Sequence, residues 1–306
     1  MRTKRKGTVY QIPMSHDDRD AILASVTRHG YLLAFASETL RNDRDVVLAA
    51  VAQDGHALLF ASETLQNDRE VVFTAVAQNG FALVFASRTR QVDREIVLVA
   101  VAQYGWVLEY LSEALQNDRD IILAAVAQNG FLLKFTTETL RDDHEVVLTA
   151  VKQYGYALEY ASTRLQNNRE IVLTAVKRCG NMLSRASGTL QNDREVVLVA
   201  VATYGFALSS ASETLQNDSD IVLAAVAQDG FALKYASFTL QNDDRIVSAA
   251  IYENRKAVLL VPYGRRAQYM RAGPIQARLL FKYMPIQFDL PEEVVTMHIL
   301  PRCFRH

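Results

Sequence analysis

The sequence contains few cysteines, and their number limits the class of protein. Cys179 and Cys303 are the two cysteines in 306 residues, too few for the disulfide framework of a small secreted domain. No apolar run approaches the roughly 20 residues that a membrane-spanning helix needs, since the run near 46–52 is followed by Gln53. Residues 1–14 are basic without the apolar core of a secretory signal. We therefore expect an intracellular protein, cytoplasmic or alternatively nuclear, with no membrane partner.

Recognisable catalytic motifs are also missing. There is no Gly-rich phosphate loop and no G-x-S-x-G. Cys179 has no metal-type Cys spacing around it, and we interpret it as a substituted surface position. The sequence therefore predicts a protein that is not an enzyme and that has no cofactor and no metal site. The histidines lack the spacing of metal ligands, being scattered at His16, His29, His56, His144, His298 and His306.

Proline is absent from residues 15–261, and five of the six prolines follow that range. The composition divides the chain into a basic N-terminal lead-in (1–14), a repeat array (15–261) and a basic, Pro-containing C-terminal cap or tail (262–306). We interpret TKRK at 3–6 as a solvated tail, with a nuclear address or an anion contact as the alternatives. Helices are expected at about 275–283 and from Pro291, where Glu292 and Glu293 suit a first turn.

A repeat of 25 residues organises the array. Such a fixed period is typical of stacked repeats, each too small to bury its own apolar face. The stretch QNDRDIILAAVAQNGFLLKFTTETL from Gln116 recurs closely from Gln66 and from Gln191. Glycine falls at the same phase nine times, at Gly30, Gly55, Gly80, Gly105, Gly130, Gly155, Gly180, Gly205 and Gly230.

The first part of each repeat, N-D-R-E-V-V-L-A-A-V-A-Q, predicts a helix of about eleven residues. Asn42 or Asp43 is the expected N-cap, and Asp45 lies three residues after Asn42, as in a capping box. The Val/Leu/Ala body is apolar almost all round, which indicates burial on more than one side. Gly55 is expected to end this helix in a left-handed conformation.

The second part of each repeat predicts a short α- or 3₁₀-helix followed by a turn. Leu recurs three residues after each glycine, usually with a small residue six after it and Leu ten after it, where Arg90 is the exception. These offsets share one helical face. A tenth repeat starts at Asn242, but Arg255 replaces its glycine. The predicted fold is thus all-α: an α-solenoid of about ten 25-residue helix–turn–short-helix repeats with a divergent C-terminal cap.

The pattern D-R-[DE]-[IV]-V-L-x-A-V-x-x-x-G-x-x-L-x-x-A-S resembles the family called domain of unknown function 4116. Asp68–Ser87 and Asp193–Ser212 carry it most clearly, and the resemblance covers about residues 17–254. The resemblance implies an interaction array and brings no known active site. Two single departures, Asn168 for Asp and Ser219 for Arg, do not alter the assignment.

Charged residues recur as D-R-[DE] at the start of each repeat. Because packed helices lie 8–10 Å apart, Arg44 is expected to reach an acid of the next repeat. We favour a solvent-facing ladder of ion pairs over a binding strip for cationic partners or Ca²⁺, since no Gly-spaced oxygen cage accompanies the acids.

Aromatic residues recur one and five residues after most of the glycines, with His56 and Asn181 as exceptions in the first column and Arg185 and Ser210 in the second. The first column contains Tyr31, Phe81 and Trp106, and the second contains Phe35, Phe85 and Tyr110. An offset of four places both columns on one face of an α-helix. We favour an inter-repeat core, with an aromatic groove for a peptide as the alternative.

Five residues are candidates for partner binding. Tyr104, Tyr154 and Tyr204 precede the glycine in every second repeat and are expected at exposed helix ends, about 20 Å apart. Asn181 and Arg185 replace both aromatic residues of one repeat. We interpret these positions as ordinary surface variation and repeat drift, with spaced hot spots and a basic polar pocket as the functional alternatives.

The charge distribution guides the choice of partner. The 33 basic and 34 acidic residues include four basic ones in 1–14, and nine basic and three acidic ones in 255–306, which leaves a net charge of −11 for 15–254. Phosphate contact requires clustered Lys and Arg, so nucleic acid is disfavoured for the array. We expect a scaffold or adaptor that binds a protein or peptide partner along an extended surface. The alternative is nucleic-acid or polyanion binding through the basic ends.

Overall fold

A computed structural model of the chain describes residues 17–271. These residues form helices joined by short connections, and no strand occurs within them. The basic lead-in and the helices expected at about 275–283 and from Pro291 lie outside the described residues. The chain divides into two compact units, Met1–Gln128 and Asn129–His306, here called the first and second unit.

Each repeat begins with a helix of eight to ten residues, here called the long helix. The sequence places it correctly to within a residue or two. In the first unit the long helices are Arg19–Val26, Arg44–Gln53, Arg69–Gln78, Arg94–Gln103 and Arg119–Gln128. In the second unit they are His144–Gln153, Arg169–Arg178, Arg194–Thr203, Ser219–Gln228 and Asp244–Glu253.

An aspartate caps most long helices. Asp43 is the N-cap of Arg44–Gln53, and its carboxylate accepts hydrogen bonds from the backbone N–H groups of Asp45 and Val46. These contacts satisfy two of the donors that a helix start leaves open. Asn42 is therefore not the cap, and the capping box expected between Asn42 and Asp45 does not form, because Asp45 stands only two residues after the true cap.

A 3₁₀-helix of six residues follows each long helix. The sequence predicts either a short α-helix or a 3₁₀-helix at this place. In the first unit these 3₁₀-helices are Gly30–Phe35, Gly55–Phe60, Gly80–Phe85 and Gly105–Tyr110. In the second unit they are Gly130–Phe135, Gly155–Tyr160, Gly180–Arg185, Gly205–Ser210, Gly230–Tyr235 and Arg255–Leu260.

The repeat glycines are required by a close approach, and the expected left-handed conformation is wrong. No glycine whose surroundings are described has a φ between +20° and +160°. A Cβ added to Gly205 would lie 2.6 Å from the carbonyl oxygen of Ala225 in the next repeat. The long helix ends instead through an extended residue such as Asp54, with φ −146° and ψ 107°. Glycine is therefore needed because the next repeat packs too close for a Cβ, and not because of the conformation of the turn.

A third helical segment, here called the single-turn helix, lies where the sequence predicts a turn. In the first unit these segments are Glu38–Arg41, Glu63–Gln66, Arg88–Gln91 and Glu113–Gln116, and in the second Glu138–Arg141, Leu165–Asn167, Leu190–Asn192, Glu213–Gln216 and Phe238–Gln241. Ala61 and Ser62 before it are extended, with ψ 156° at both. The residues three, six and ten after the glycine therefore lie on two segments, so the single helical face expected for them is wrong.

The core is built from the same columns in every repeat. Val46, Val47, Ala50 and Val51 have 0% of their surface exposed, so the long helix is buried on a wide face, as its apolar body predicts. Leu58 adds a fully buried side chain from the 3₁₀-helix. Within each unit, long helices pack on the long helices of the next repeat and 3₁₀-helices on 3₁₀-helices. This arrangement is the predicted all-α solenoid.

The tenth repeat departs from the pattern at its glycine. Arg255 is exposed there, and among the described residues no further repeat follows to require a glycine. A final helix, Tyr263–Arg271, replaces the single-turn helix and packs on Arg255–Leu260. This helix lies within the predicted C-terminal cap.

The final helix is tied to the tenth repeat by polar contacts. Asp244 stands where most repeats carry arginine, and its carboxylate accepts hydrogen bonds from Arg265 and from the Tyr269 hydroxyl. Arg265 also donates to the backbone carbonyl of Asn242 at 3.0 Å. Burial, followed by the hydrogen bond to Asp244, raises the pKa of Tyr269 to about 12.

Candidate partner-binding surface

The aromatic columns lie at the surface of the 3₁₀-helices. Tyr110 is 60% exposed, Phe35 45% and Tyr31 41%, whereas Ala57 and Leu58, two of the three residues between the columns, are 0% exposed. The core interpretation is therefore wrong for these columns. A 3₁₀-helix advances about 120° per residue, so a spacing of four does not place both rings on one buried stripe.

In the first unit the rings form an aromatic strip. The strip consists of Tyr31, Phe35, His56, Phe60, Phe81, Phe85, Tyr104, Trp106 and Tyr110. Phe81 is a centre of ring contacts, with ring centroids 5.8 Å from Phe85, 5.9 Å from Tyr104 and 6.1 Å from Tyr110. The planes of all three pairs are close to perpendicular, the edge-to-face geometry that aromatic pairs favour.

In the second unit, lysines lie over the rings of the corresponding columns. Lys234 Nζ lies 5.1 Å from the ring centroid of Phe206 and 4.5 Å from that of Tyr235. Lys134 lies similarly over Phe131, at 5.6 Å. Each arrangement is a cation–π interaction within the chain.

The three predicted tyrosines occupy the residue after a long helix, and each is exposed. The exposed fractions are 43% for Tyr104, 38% for Tyr154 and 42% for Tyr204. Their rings extend the aromatic columns, because each contacts a ring one residue after a repeat glycine. Desolvation by burial, followed by charge interactions with Tyr160 and Tyr156, raises the pKa of Tyr154. The ring contacts are Tyr104 with Phe81, Tyr154 with Phe131 and Tyr156, and Tyr204 with Phe206.

Asn181 and Arg185 face the preceding repeat. The side-chain amide of Asn181 donates to the Tyr156 hydroxyl at 3.0 Å. Arg185 forms an ion pair with Glu159, and both side chains are half-exposed. The two residues thus form polar contacts in which the charge of Arg185 is balanced by Glu159, and the basic polar pocket stays a hypothesis.

The D-R-[DE] column forms the expected ladder of ion pairs between repeats. Arg44 Nε lies 3.4 Å from Asp68, and the same guanidinium contacts Glu70. Hydrogen bonds from the neighbouring arginine are the largest cause that lowers the pKa of Asp43 and of Asp118. Further arginines make the same pairs: Arg19 with Asp43, Arg69 with Asp93, Arg94 with Asp118, Arg169 with Asp193 and Arg194 with Asp218.

Recurring Ser, Asn and Gln residues also form hydrogen bonds within and between repeats, a role that the sequence reasoning missed. Ser62 donates to the side-chain oxygen of Asn42 at 2.6 Å, and its backbone N–H donates to the Arg41 carbonyl at 2.9 Å. Gln78 accepts from the backbone N–H of Gly55 at 2.6 Å. The available signal was the recurrence of Gln, Asn and Ser at constant phase.

Two further features of the described residues concern reactivity and metal binding. Cys179 is partly buried, and burial raises the pKa of its thiol, opposite to the shift of an activated nucleophile. Within 17–271, no group of three or more His, Cys, Asp or Glu side chains is placed to hold a metal ion. In the same range, no helix has the length and apolar character needed to cross a membrane.

The fold and the surface together define the class of protein: an all-α repeat protein whose 3₁₀-helices present partly exposed aromatic rings. The chain belongs to the family described as Domain of unknown function (DUF4116). The family model matches eight times in tandem, at residues 18–64, 45–89, 93–141, 123–166, 143–191, 168–216, 193–241 and 218–263. These matches confirm the resemblance seen in the D-R-[DE] pattern. No curated protein and no solved structure matches the chain.

Proposed function

We propose that the protein binds another protein or a peptide along its repeat surface, as a scaffold or adaptor. The observation that carries the proposal is the aromatic strip of the first unit, where Tyr104 and Tyr110 are 43% and 60% exposed. Tyrosine and tryptophan are enriched among the residues that dominate binding energy at interfaces. The repeats beneath the strip are packed on a fully buried core, so little ordering is needed on binding.

The charges of the array favour a polypeptide over nucleic acid. Arginines such as Arg44 and Arg169 pair with carboxylates of the next repeat, and residues 15–254 carry a net charge of −11 from 20 basic and 31 acidic residues. Phosphate contacts need positive charges that acids do not already neutralise. The basic end segments lie mostly outside the described residues.

Specificity would come from the positions that vary between repeats. Tyr104, Tyr154 and Tyr204 add rings to the aromatic columns, while Asn181 and Arg185 interrupt them. These tyrosines make no side-chain cap hydrogen bond and are 38–43% exposed, so we expect their substitution to leave the buried core intact. We propose the three tyrosines as partner contacts.

Selection from a random peptide display library tests the proposal. The full chain is compared with a variant in which Tyr104, Tyr154 and Tyr204 are all changed to Ala, and circular dichroism checks that both are folded. We expect the wild type to enrich peptides that the triple variant binds at least about tenfold more weakly, since each tenfold is 1.4 kcal/mol.

A matched control uses an exposed aromatic residue away from the 3₁₀-helices. Phe238 lies on a single-turn helix and is 82% exposed, and Phe238→Ala should bind the selected peptides like the wild type. Equal binding by the triple variant and the wild type would rule out these tyrosines. Failure of the wild type to enrich any peptide would count against a peptide-binding function.

A further inference from the structure

Lys234 shows that a pair of rings from neighbouring repeats holds a cation. The lysine is four residues after Gly230, and its Nζ lies over the ring of Phe206 in the preceding repeat and of Tyr235 in its own. The two ring centroids are 5.8 Å apart with planes at 76°. The negative face of each ring attracts the ammonium group.

The same ring pair recurs in the first unit with the opposite charge beside it. Phe81 and Tyr110 have ring centroids 6.1 Å apart and planes at 85°. The residue in the register of Lys234 is Glu109, which is exposed. Among residues 17–271, Glu109 has no ion pair, and no cation lies over Phe81 or Tyr110. The rings and the carboxylate therefore leave a position for a cation that the described residues do not supply.

The second unit contains a glutamate in this register that does have a cation. Phe131 and Tyr160 are 5.9 Å apart with planes at 86°, and the adjacent Glu159 pairs with Arg185 of the following repeat. Arg185 stands 26 residues after Glu159 in the sequence. The residue 26 after Glu109 is Phe135, which carries no charge. The second unit thus has a cation of its own in both cases: Lys234 lies over one ring pair, and Arg185 pairs with the glutamate beside the other.

We propose that Phe81, Tyr104, Tyr110 and Glu109 form a binding site for a lysine or arginine side chain of a basic peptide segment. The two exposed tyrosines and Phe81 receive the cation on their ring faces, and the carboxylate of Glu109 balances its charge. The acidic array attracts a basic segment over a longer range. This inference rests on the proposed peptide-binding function and names the chemistry of the partner.

The full chain is titrated with a short Gly/Ser peptide that carries several lysines, with its arginine version and with its glutamate version. Trp106 is the chain's single tryptophan and belongs to the aromatic strip, so its fluorescence reports binding in the first unit. Calorimetry gives the stoichiometry. We expect the lysine and arginine peptides to bind and the glutamate peptide not to bind.

Two charge substitutions form a matched pair. Glu109→Lys copies the arrangement of Lys234 and should lower affinity for the basic peptides by about tenfold or more, because an internal lysine then occupies the rings. Lys234→Glu places a carboxylate beside the ring pair of Phe206 and Tyr235, with Asp229 in the position of Tyr104, and should increase the number of basic peptides bound per chain. Glu109→Gln keeps the size of the side chain and should weaken binding through loss of charge alone.

The outcomes separate this inference from the proposed function. Unchanged affinity of Glu109→Lys for basic peptides would overturn the site. Display-selected peptides without Lys or Arg that still need Tyr104 would leave the peptide-binding function standing and overturn the basic partner. Spermidine binding as tightly as the lysine peptide, with the same loss in Glu109→Lys, would overturn a polypeptide ligand. If the wild type binds no peptide of any composition, both proposals fail.

Discussion

The first and second units share one internal structure and differ at their aromatic surfaces. Leu58 in the first unit and Leu208 in the second are both 0% exposed at the same position of the repeat. Lys234 and Lys134 lie over rings in the second unit. In the first unit, Glu109 stands at the same position of the repeat, four residues after the glycine. Residues that face the next repeat are thus held constant by packing, and residues that face outward are free to differ.

The largest expected effect is loss of a core leucine, which should be equal in the two units. Leu58→Ala and Leu208→Ala should each lower stability by about 2–5 kcal/mol, because each leaves a cavity at a fully buried position. Urea unfolding followed by circular dichroism measures both, and Trp106 fluorescence follows the first unit separately. A near-zero effect in one unit would break the structural equivalence.

The next effect tests the close approach at the repeat glycines. Gly55→Ala and Gly205→Ala should each cost about 1–3 kcal/mol, since the added methyl group overlaps a backbone carbonyl of the next repeat. Gly188→Ala is the control, because a Cβ there has no heavy atom within 4 Å. If all three substitutions lower the thermal midpoint equally, the carbonyl contact is not the reason for glycine.

The aspartate caps predict acid sensitivity. Hydrogen bonds from Arg19 and Arg94 lower the pKa of Asp43 and of Asp118 below the usual value. Their stabilising contribution is therefore present above the unfolded pKa of about 3.9 and is lost as pH falls through the lower folded pKa. Asp43→Asn with Asp118→Asn keeps a capping side chain worth about 1 kcal/mol and removes the titration.

Thermal midpoints at neutral pH and near pH 3 measure this difference. The double variant should lose less stability on acidification than the wild type. Glu63→Gln, an exposed acid on a single-turn helix, serves as the control and should behave like the wild type. The second unit already contains an uncharged cap, Asn168, which accepts from the backbone N–H of Ile171 at 3.1 Å. The double variant therefore gives two further helices the kind of cap that one helix of the chain already has.

The smallest effect concerns the arginine ladder. Arg44→Gln in the first unit and Arg169→Gln in the second should each lower the thermal midpoint only slightly, because the ion pairs are exposed to solvent. The loss should shrink at high salt, which screens exposed charges. Thermal midpoints at low and high salt test this expectation. A larger loss that does not depend on salt in one unit would show that the arginine of that unit stabilises the fold by more than an exposed ion pair.

Periodicity predicted most of the fold, but not the geometry within a repeat. The glycine phase, the apolar long helix and the D-R-[DE] pairs all follow from residues read in order. Of the two expected N-caps, Asn42 and Asp43, only Asp43 is the cap, because its carboxylate accepts from the first free N–H groups of the helix. The break at Ala61 and Ser62 was missed, since neither residue is a helix breaker by itself.

The candidate surface was predicted in part. Exposure of Tyr104, Tyr154 and Tyr204 follows from their place just before the glycine. The contact between Arg185 and Glu159 was not predicted, because the two residues are 26 positions apart and meet only when repeats stack. The exposed position of the aromatic columns depends on the 3₁₀ geometry, which a spacing of four residues does not reveal.

By itself the sequence determined that the chain repeats every 25 residues, that the repeats are helical and that they must stack, because no single repeat can bury its apolar face. Only the tertiary structure decided why glycine recurs, which rings are exposed and which charges are paired. The physical reason is that a repeat's closest neighbours come from the next repeat, so each contact depends on a separation in space that the order of residues does not contain.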